Sequence, residues 1–150
     1  MADQEMIATR PLPEITPLTE PFWSAAKERR LVIQRCDGCA AYRFPPEPAC
    51  VFCASPRSTW TEVSGRATLW SWTVGHPPLL PYFAERAPWP VAVVQLEEGP
   101  RMVTNVVDGP AEAGKPRLRM PIEEYAIGMA LVADYEDIDG EITLVVFRRG

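Results

Sequence analysis

One histidine, His76, is present among 150 residues, which removes every mechanism that needs a histidine pair or a multi-histidine metal site. No apolar run approaches the ~18 residues of a membrane-spanning helix; the longest are short pieces such as Val91–Leu96. The N-terminal Met1-Ala-Asp-Gln-Glu is acidic and lacks the basic-then-apolar order of a secretion signal, so a cytoplasmic protein is expected. No Lys/Arg cluster exceeds a pair (Arg29-Arg30, Arg148-Arg149), and the formal charge is −5. Duplex nucleic-acid binding rests on neutralising phosphates, and no basic stripe is available for it. GxSxG and glycine-rich phosphate loops are absent, and no internal repeat is visible. Glycine is scarce beside proline, 9 against 17, which points to short elements joined by stiff connections. With 47% apolar and 23% charged residues, the composition is that of an ordinary globular chain.

Residues 1–18 carry Pro11, Pro13 and Pro17 with little periodicity and read as an extended arm. Thr19 as N-cap, Pro21 in the first turn and an apolar stripe of Phe22, Trp23 and Ala26 predict a short helix ending in Lys27-Glu-Arg-Arg30. Leu31–Arg35 reads as a strand, completing a helix-and-cysteine region over 19–61. From 62 to 150 the pattern is β. Ala67–Val74 alternates, with Trp70, Trp72 and Val74 expected on one face. Val91–Leu96 and Met102–Val107 flank a turn at Glu98-Gly99-Pro100; Leu131–Tyr135 and Ile142–Val146 flank Asp139-Gly140. A helical turn over Met120–Tyr125 separates the two hairpins. Five strands with a helical piece between the third and fourth is the order of a five-stranded OB-fold barrel, with a β-sandwich as the alternative.

All four cysteines fall in two CxxC pairs, Cys36-Asp-Gly-Cys39 and Cys50-Val-Phe-Cys53, ten residues apart. Two such turns complete a tetrahedral S4 site, which favours structural zinc, with iron as competitor. Four thiolates and Zn2+ carry a net −2 and would take the formal charge from −5 to about −7, with Arg35 and Arg43 flanking the site. The competing readings are four reduced cysteines without metal, or two disulfides; the latter require an oxidising compartment that nothing here indicates.

Elsewhere the signals are weaker. Trp70 and Trp72 could stack bases in a single-stranded RNA binder, but tryptophans on the apolar face of a strand belong more often to a core, and the acidic charge opposes RNA. His76 lacks a partner nucleophile and reads as a loop histidine bonded to backbone. Asp137, Asp139 and Glu141 lack calcium-loop spacing and read as a solvated turn. The connection 76–90 is apolar and proline-stiffened. Its Leu79, Leu80, Tyr82, Phe83 and Trp89 are too many to leave in water: they pack on the barrel, line a ligand groove or meet a partner protein, and with His76 they are read as a partner or ligand surface.

The order of these features resembles a family of small acyl-CoA-associated proteins with an N-terminal helix, a rubredoxin-like zinc ribbon and an OB-fold, long catalogued as a domain of unknown function. The matching stretches include Pro21-Phe-Trp23, Leu31-Val-Ile-Gln-Arg-Cys-Asp-Gly-Cys39, Tyr42-Arg-Phe-Pro-Pro46 and Cys50-Val-Phe-Cys53. They continue through Val63-Ser-Gly-Arg66, Ser71-Trp-Thr-Val74, Val91–Glu97, Thr104-Asn105, Ile127-Gly-Met129 and Val145-Val-Phe-Arg148. The resemblance implies a non-catalytic companion subunit of thiolase-fold enzymes or thiolase-like aldolases, and sometimes of hot-dog-fold hydratases, acting on acyl-CoA in steroid, lipid or aromatic breakdown. Such a subunit stabilises its partner and shapes access for the acyl-CoA. The resemblance also implies Cys36, Cys39, Cys50 and Cys53 as zinc ligands and no catalytic residue; a stand-alone acyl-CoA-binding protein is the alternative. One departure is visible. Many zinc knuckles place glycine after the second cysteine of each pair, where Ala40 and Ala54 stand here.

Overall fold

A computed structural model describes residues 9–112, 116–138 and 140–150. In chain order the elements are α1 (Glu20–Lys27), β1 (Val32–Cys36), β2 (Tyr42–Arg43), β3 (Ser58–Glu62), β4 (Arg66–Gly75), α2 (Pro81–Ala84), β5 (Trp89–Leu96), β6 (Arg101–Thr104), β7 (Val107–Asp108), β8 (Leu118–Arg119), a 3-10 turn Ile122–Glu124, β9 (Ala130–Asp137) and β10 (Thr143–Arg149). The fold is mostly β, as the patterning predicts.

Thr19 occupies the N-cap of α1, but its hydroxyl does not serve the helix amides. Thr16 N–H donates to Thr19 Oγ1 at 3.0 Å, so the two threonines close the preceding turn instead. Phe22, Ala25 and Ala26 are buried. The helix stops in a Schellman geometry, with Arg29 N–H on Ala26 O and Arg30 N–H on Ala25 O, both at 3.0 Å. Arg29 takes the left-handed position (φ 60°), an arginine where glycine is usual.

β1 is the centre of a three-stranded sheet ordered β2-β1-β3. The larger sheet has the order β10-β9-β4-β5-β6, with every pairing antiparallel. It curls into a half-barrel rather than closing fully. Its edges meet through a Val106–Phe147 bridge, with Phe147 N–H donating to Asn105 O and Thr104 Oγ1 to Val145 O. Both predicted hairpins form; of the Asp139-Gly140 turn, Asp139 lies outside the described residues. One core joins α1 and β1 to the curled sheet: Phe22, Ala26, Leu31 and Ile33 pack with Leu69, Val94, Leu96, Met102, Leu131 and Phe147.

Two expectations are corrected. A β-bulge between Leu69 and Ser71 breaks the alternation of β4, so Trp70 and Trp72 do not share a core-facing row. Trp70 turns outward, 47% exposed, under the guanidinium of Arg101, while Trp72 packs against the core on the ring of Tyr125. The strand expected over Met102–Val107 ends at Thr104. Asn105 breaks away to donate from Nδ2 to Pro90 O, and Val107 begins the separate β7-β8 ribbon.

Candidate functional site

The two cysteine pairs sit on successive tight turns. Ala40 N–H returns to Cys36 O and Ala54 N–H to Cys50 O, both at 2.9 Å. Closing these turns places Ala40 at φ 63° and Ala54 at φ 60°, the left-handed region that glycine occupies without strain. Inside the turns amides point at sulfur: Gly38 N–H to Cys36 Sγ at 3.3 Å and Phe52 N–H to Cys50 Sγ at 3.4 Å. All four Sγ atoms lie within 4.8 Å of one another. The pairs across the two turns are closer, Cys36 to Cys53 at 3.5 Å and Cys39 to Cys50 at 3.6 Å. A tetrahedral ion with metal–sulfur bonds of ~2.3 Å sets sulfur–sulfur edges near ~3.8 Å, so the donor set fits a metal of zinc's size and softness.

Amide donation favours thiolates. The Cys39 and Gly38 amides draw the Cys36 thiol down to about 6, against the desolvation of its buried position. The Cys53 and Phe52 amides likewise lower Cys50. Cys53 goes the other way: the Ser55 amide draws it down, but crowding by the other three thiols outweighs this and pushes it up to about 11. Four thiols this close share their protons unequally, and a divalent cation would resolve the conflict by taking all four as thiolates.

The flanking arginines support the scaffold. Arg35 donates to Ala40 O at the end of the first turn. Arg43 is buried and donates from Nε to Gln34 Oε1 at 3.0 Å and from Nη2 to Glu47 O at 3.3 Å. Gln34 Oε1 also accepts from Glu47 N–H at 2.8 Å, which pins the proline-rich connection between the turns. At the tip of the second turn Val51 and Phe52 are 74% and 75% exposed.

Within the connection 76–90, the structure divides the six residues of the expected surface. His76 and Leu80 are exposed, and Leu79 is half-buried. Tyr82 is buried, while Phe83 and Trp89 are half-buried. These three rings form a trio, with centroids 5.3 Å apart for Tyr82–Phe83 and 5.0 Å for Phe83–Trp89. Sequence reasoning passed over the guanidiniums around this trio. Arg86 lies 3.8 Å from the Tyr82 ring, Arg119 4.8 Å from the Trp89 ring, and Arg10 within 6 Å of both. Arg10 and Arg119 both pair with the buried Glu136, at 2.8 and 2.6 Å, and Arg117 pairs with Asp134 at 2.9 Å. The available signal was the matched spacing of Arg117 and Arg119 against Asp134 and Glu136, two residues apart on each segment.

Family comparison matches both parts of this arrangement. Residues 23–58 match the rubredoxin-like zinc ribbon domain of ChsH2, and residues 60–136 match the ChsH2 C-terminal OB-fold domain. The chain belongs to the ChsH2-type zinc-ribbon and OB-fold family, DUF35. It is 39% identical over 146 residues to a probable enoyl-CoA hydratase alpha subunit of Thermomonospora curvata, covering 97% of this chain and 42% of that protein. Over 117 residues it is 36% identical to the 3-oxo-4,17-pregnadiene-20-carboxyl-CoA hydratase alpha subunit of Mycobacterium tuberculosis, covering 77% of this chain and 33% of that one. The chain thus spans less than half the length of these two relatives. Among solved structures it resembles a chain of the Ltp2-ChsH2(DUF35) aldolase, with TM-score 0.76 and 38% identity over 92% of this chain and 98% of that one. No helix among the described residues is long and apolar enough to cross a membrane.

Proposed function

We propose that this DUF35 chain is a non-catalytic companion subunit of an acyl-CoA-processing thiolase-like aldolase or thiolase complex, active in the cytoplasm in steroid side-chain, lipid or aromatic acyl-CoA degradation. The observation that carries this reading is the likeness to the DUF35 chain of the aldolase, which extends over 98% of that chain. The hydratase alpha-subunit relatives support a hydratase as a second associate. Zn2+ held by Cys36, Cys39, Cys50 and Cys53 is structural, because all four tetrahedral positions are filled by protein. The partner supplies the nucleophile, and this chain stabilises it and shapes the acyl-CoA channel. The partner surface comprises His76 and Leu80, exposed in the 76–90 connection, and the arm.

Affinity isolation of tagged protein from its host, followed by mixing with the co-purifying enzyme, tests this. The chain alone should be inactive, and adding it should raise the partner's activity. Leu80, 61% exposed, is the probe of the surface. Leu80→Asp should weaken assembly about tenfold or more and leave metal content unchanged. An isolated chain that turns over acyl-CoA, or a thiolase-fold partner that never co-purifies, would refute the reading.

A further inference from the structure

A groove of about 410 Å3 runs between the 76–90 connection and the segment 116–119. This volume lies in the range of small-molecule sites. Tyr82, Pro88, Trp89 and Leu118 give it an apolar lining, with Leu118 73% exposed at the rim. Its charged lining residues are Arg86, Arg117 and Arg119, with no acid among them, in a chain of formal charge −5. Behind the lining, Arg10 and Arg119 share one buried carboxylate, Glu136, which leaves a net positive charge at this end of the groove. Arg117 has only 3% of its side chain exposed, yet neither its Nε nor the buried Nε of Arg119 has an acceptor among the described residues. A buried guanidinium N–H without an acceptor is costly, so this arginine cluster is short of acceptors, and its uncompensated positive charge attracts an anion to the groove.

We infer that this groove is a binding site for an amphipathic organic anion, an apolar body carrying one carboxylate, sulfonate or phosphate. The apolar body lies on Tyr82, Trp89 and Leu118, and the anionic group faces the arginines. A bare inorganic anion would leave the apolar lining wet, and a neutral hydrocarbon would leave the net positive charge at this end of the groove uncompensated.

The test uses the full metal-loaded chain without any partner, so its outcome is separate from that of the companion-subunit reading. The probes are 1-anilinonaphthalene-8-sulfonate and its uncharged analogue N-phenyl-1-naphthylamine, read by fluorescence titration. The sulfonate should bind at one site at least about tenfold more tightly than the neutral analogue. Leu118→Glu should reduce its affinity by a similar factor, whereas Phe52→Ser at the exposed metal-turn tip should not. Laurate should displace the probe, and inorganic phosphate should not. Equal affinity for the two probes, indifference to Leu118→Glu, loss of binding in Phe52→Ser, or displacement by phosphate as effective as by laurate would each overturn the assignment.

Discussion

The cysteine turns and the curled sheet differ sharply in how much they bury. Between Cys36 and Arg57 the only buried residues are Cys36, Arg43 and Cys50, and the turn tip leaves Val51 and Phe52 in water. The curled sheet buries Leu69, Val94, Leu96, Val106, Leu131, Val146 and Phe147 almost completely. A segment this small cannot bury enough apolar surface to offset its ordering entropy, and a metal held by the four cysteines would supply the difference. One chain thus joins a region built around four metal-competent thiols to a region stabilised by burial, with Leu31 and Ile33, just ahead of the first turn, rooted in the core of the second.

The sharpest way to break that contrast is to remove the metal. Structural zinc in small ribbons binds with an apparent free energy of order 10 kcal/mol, nearly all of it folding energy. Chelation, or Cys39→Ser at an exposed ligand, should abolish hydrogen-exchange protection through residues 36–57 while the amides of β4, β5 and β10 stay protected. Loss of protection in both regions at once would mean that the sheet depends on the ion too. The reverse perturbation is Phe147→Ala, at a fully buried side chain. It should cost about 3–5 kcal/mol in denaturant unfolding and leave a full equivalent of metal bound at low denaturant.

These regions were not equally legible in the sequence. Paired CxxC spacing specifies a metal site because four sulfurs have few other uses at that distance. Alternation located the strands of the sheet for a similar reason, since each carries a row of side chains into one core. What escaped depends on the path of the backbone. The bulge that turns Trp70 outward leaves the composition of β4 unchanged, and the break at Asn105 follows from a bond to Pro90, fifteen residues earlier in the chain. The Schellman stop at Arg29 was hidden by an arginine standing where glycine is usual. The cluster of Arg10, Arg119 and Glu136 joins residues up to 126 positions apart. Of the metal site, the ligands were readable, but the left-handed alanines were visible only as a departure from pattern.

Those alanines sharpen the comparison on the ribbon side. An L-residue with a Cβ at φ near 60° costs about 1–2 kcal/mol relative to its preferred region. Glycine removes that cost but gives back about 0.5–1 kcal/mol in chain entropy. Ala54→Gly should therefore stabilise the loaded ribbon by roughly 0.5–1 kcal/mol, a two- to fivefold gain in zinc affinity by chelator competition. The unfolding midpoint of the sheet should not move. An equal gain in both regions would show that the ribbon and sheet unfold as one unit.

The smallest effect tests the seam between the regions. Arg29, at the end of α1, donates to both oxygens of Asp137 on β9, at 2.9 and 2.6 Å. With Thr143 Oγ1 also donating to Oδ1, the Asp137 carboxyl is drawn down from 3.8 to about 2. A carboxylate with a depressed folded-state pKa adds stability that is fully present above its unfolded value, declines as pH falls below about 3.8, and is gone below about 2. Both partners are more than half exposed or close to it, at 50% and 57%, so water and salt screen the pair, and it contributes only about 0.2–1 kcal/mol at neutral pH. Carboxyl NMR titration should return a midpoint near 2 for Asp137, moving back toward 3.8 in Arg29→Gln. The same variant should lose only that small increment of stability, and loss of several kcal/mol instead would mean that the ion pair, rather than the shared core of Phe22, Leu31 and Ile33, holds the helix and ribbon to the sheet.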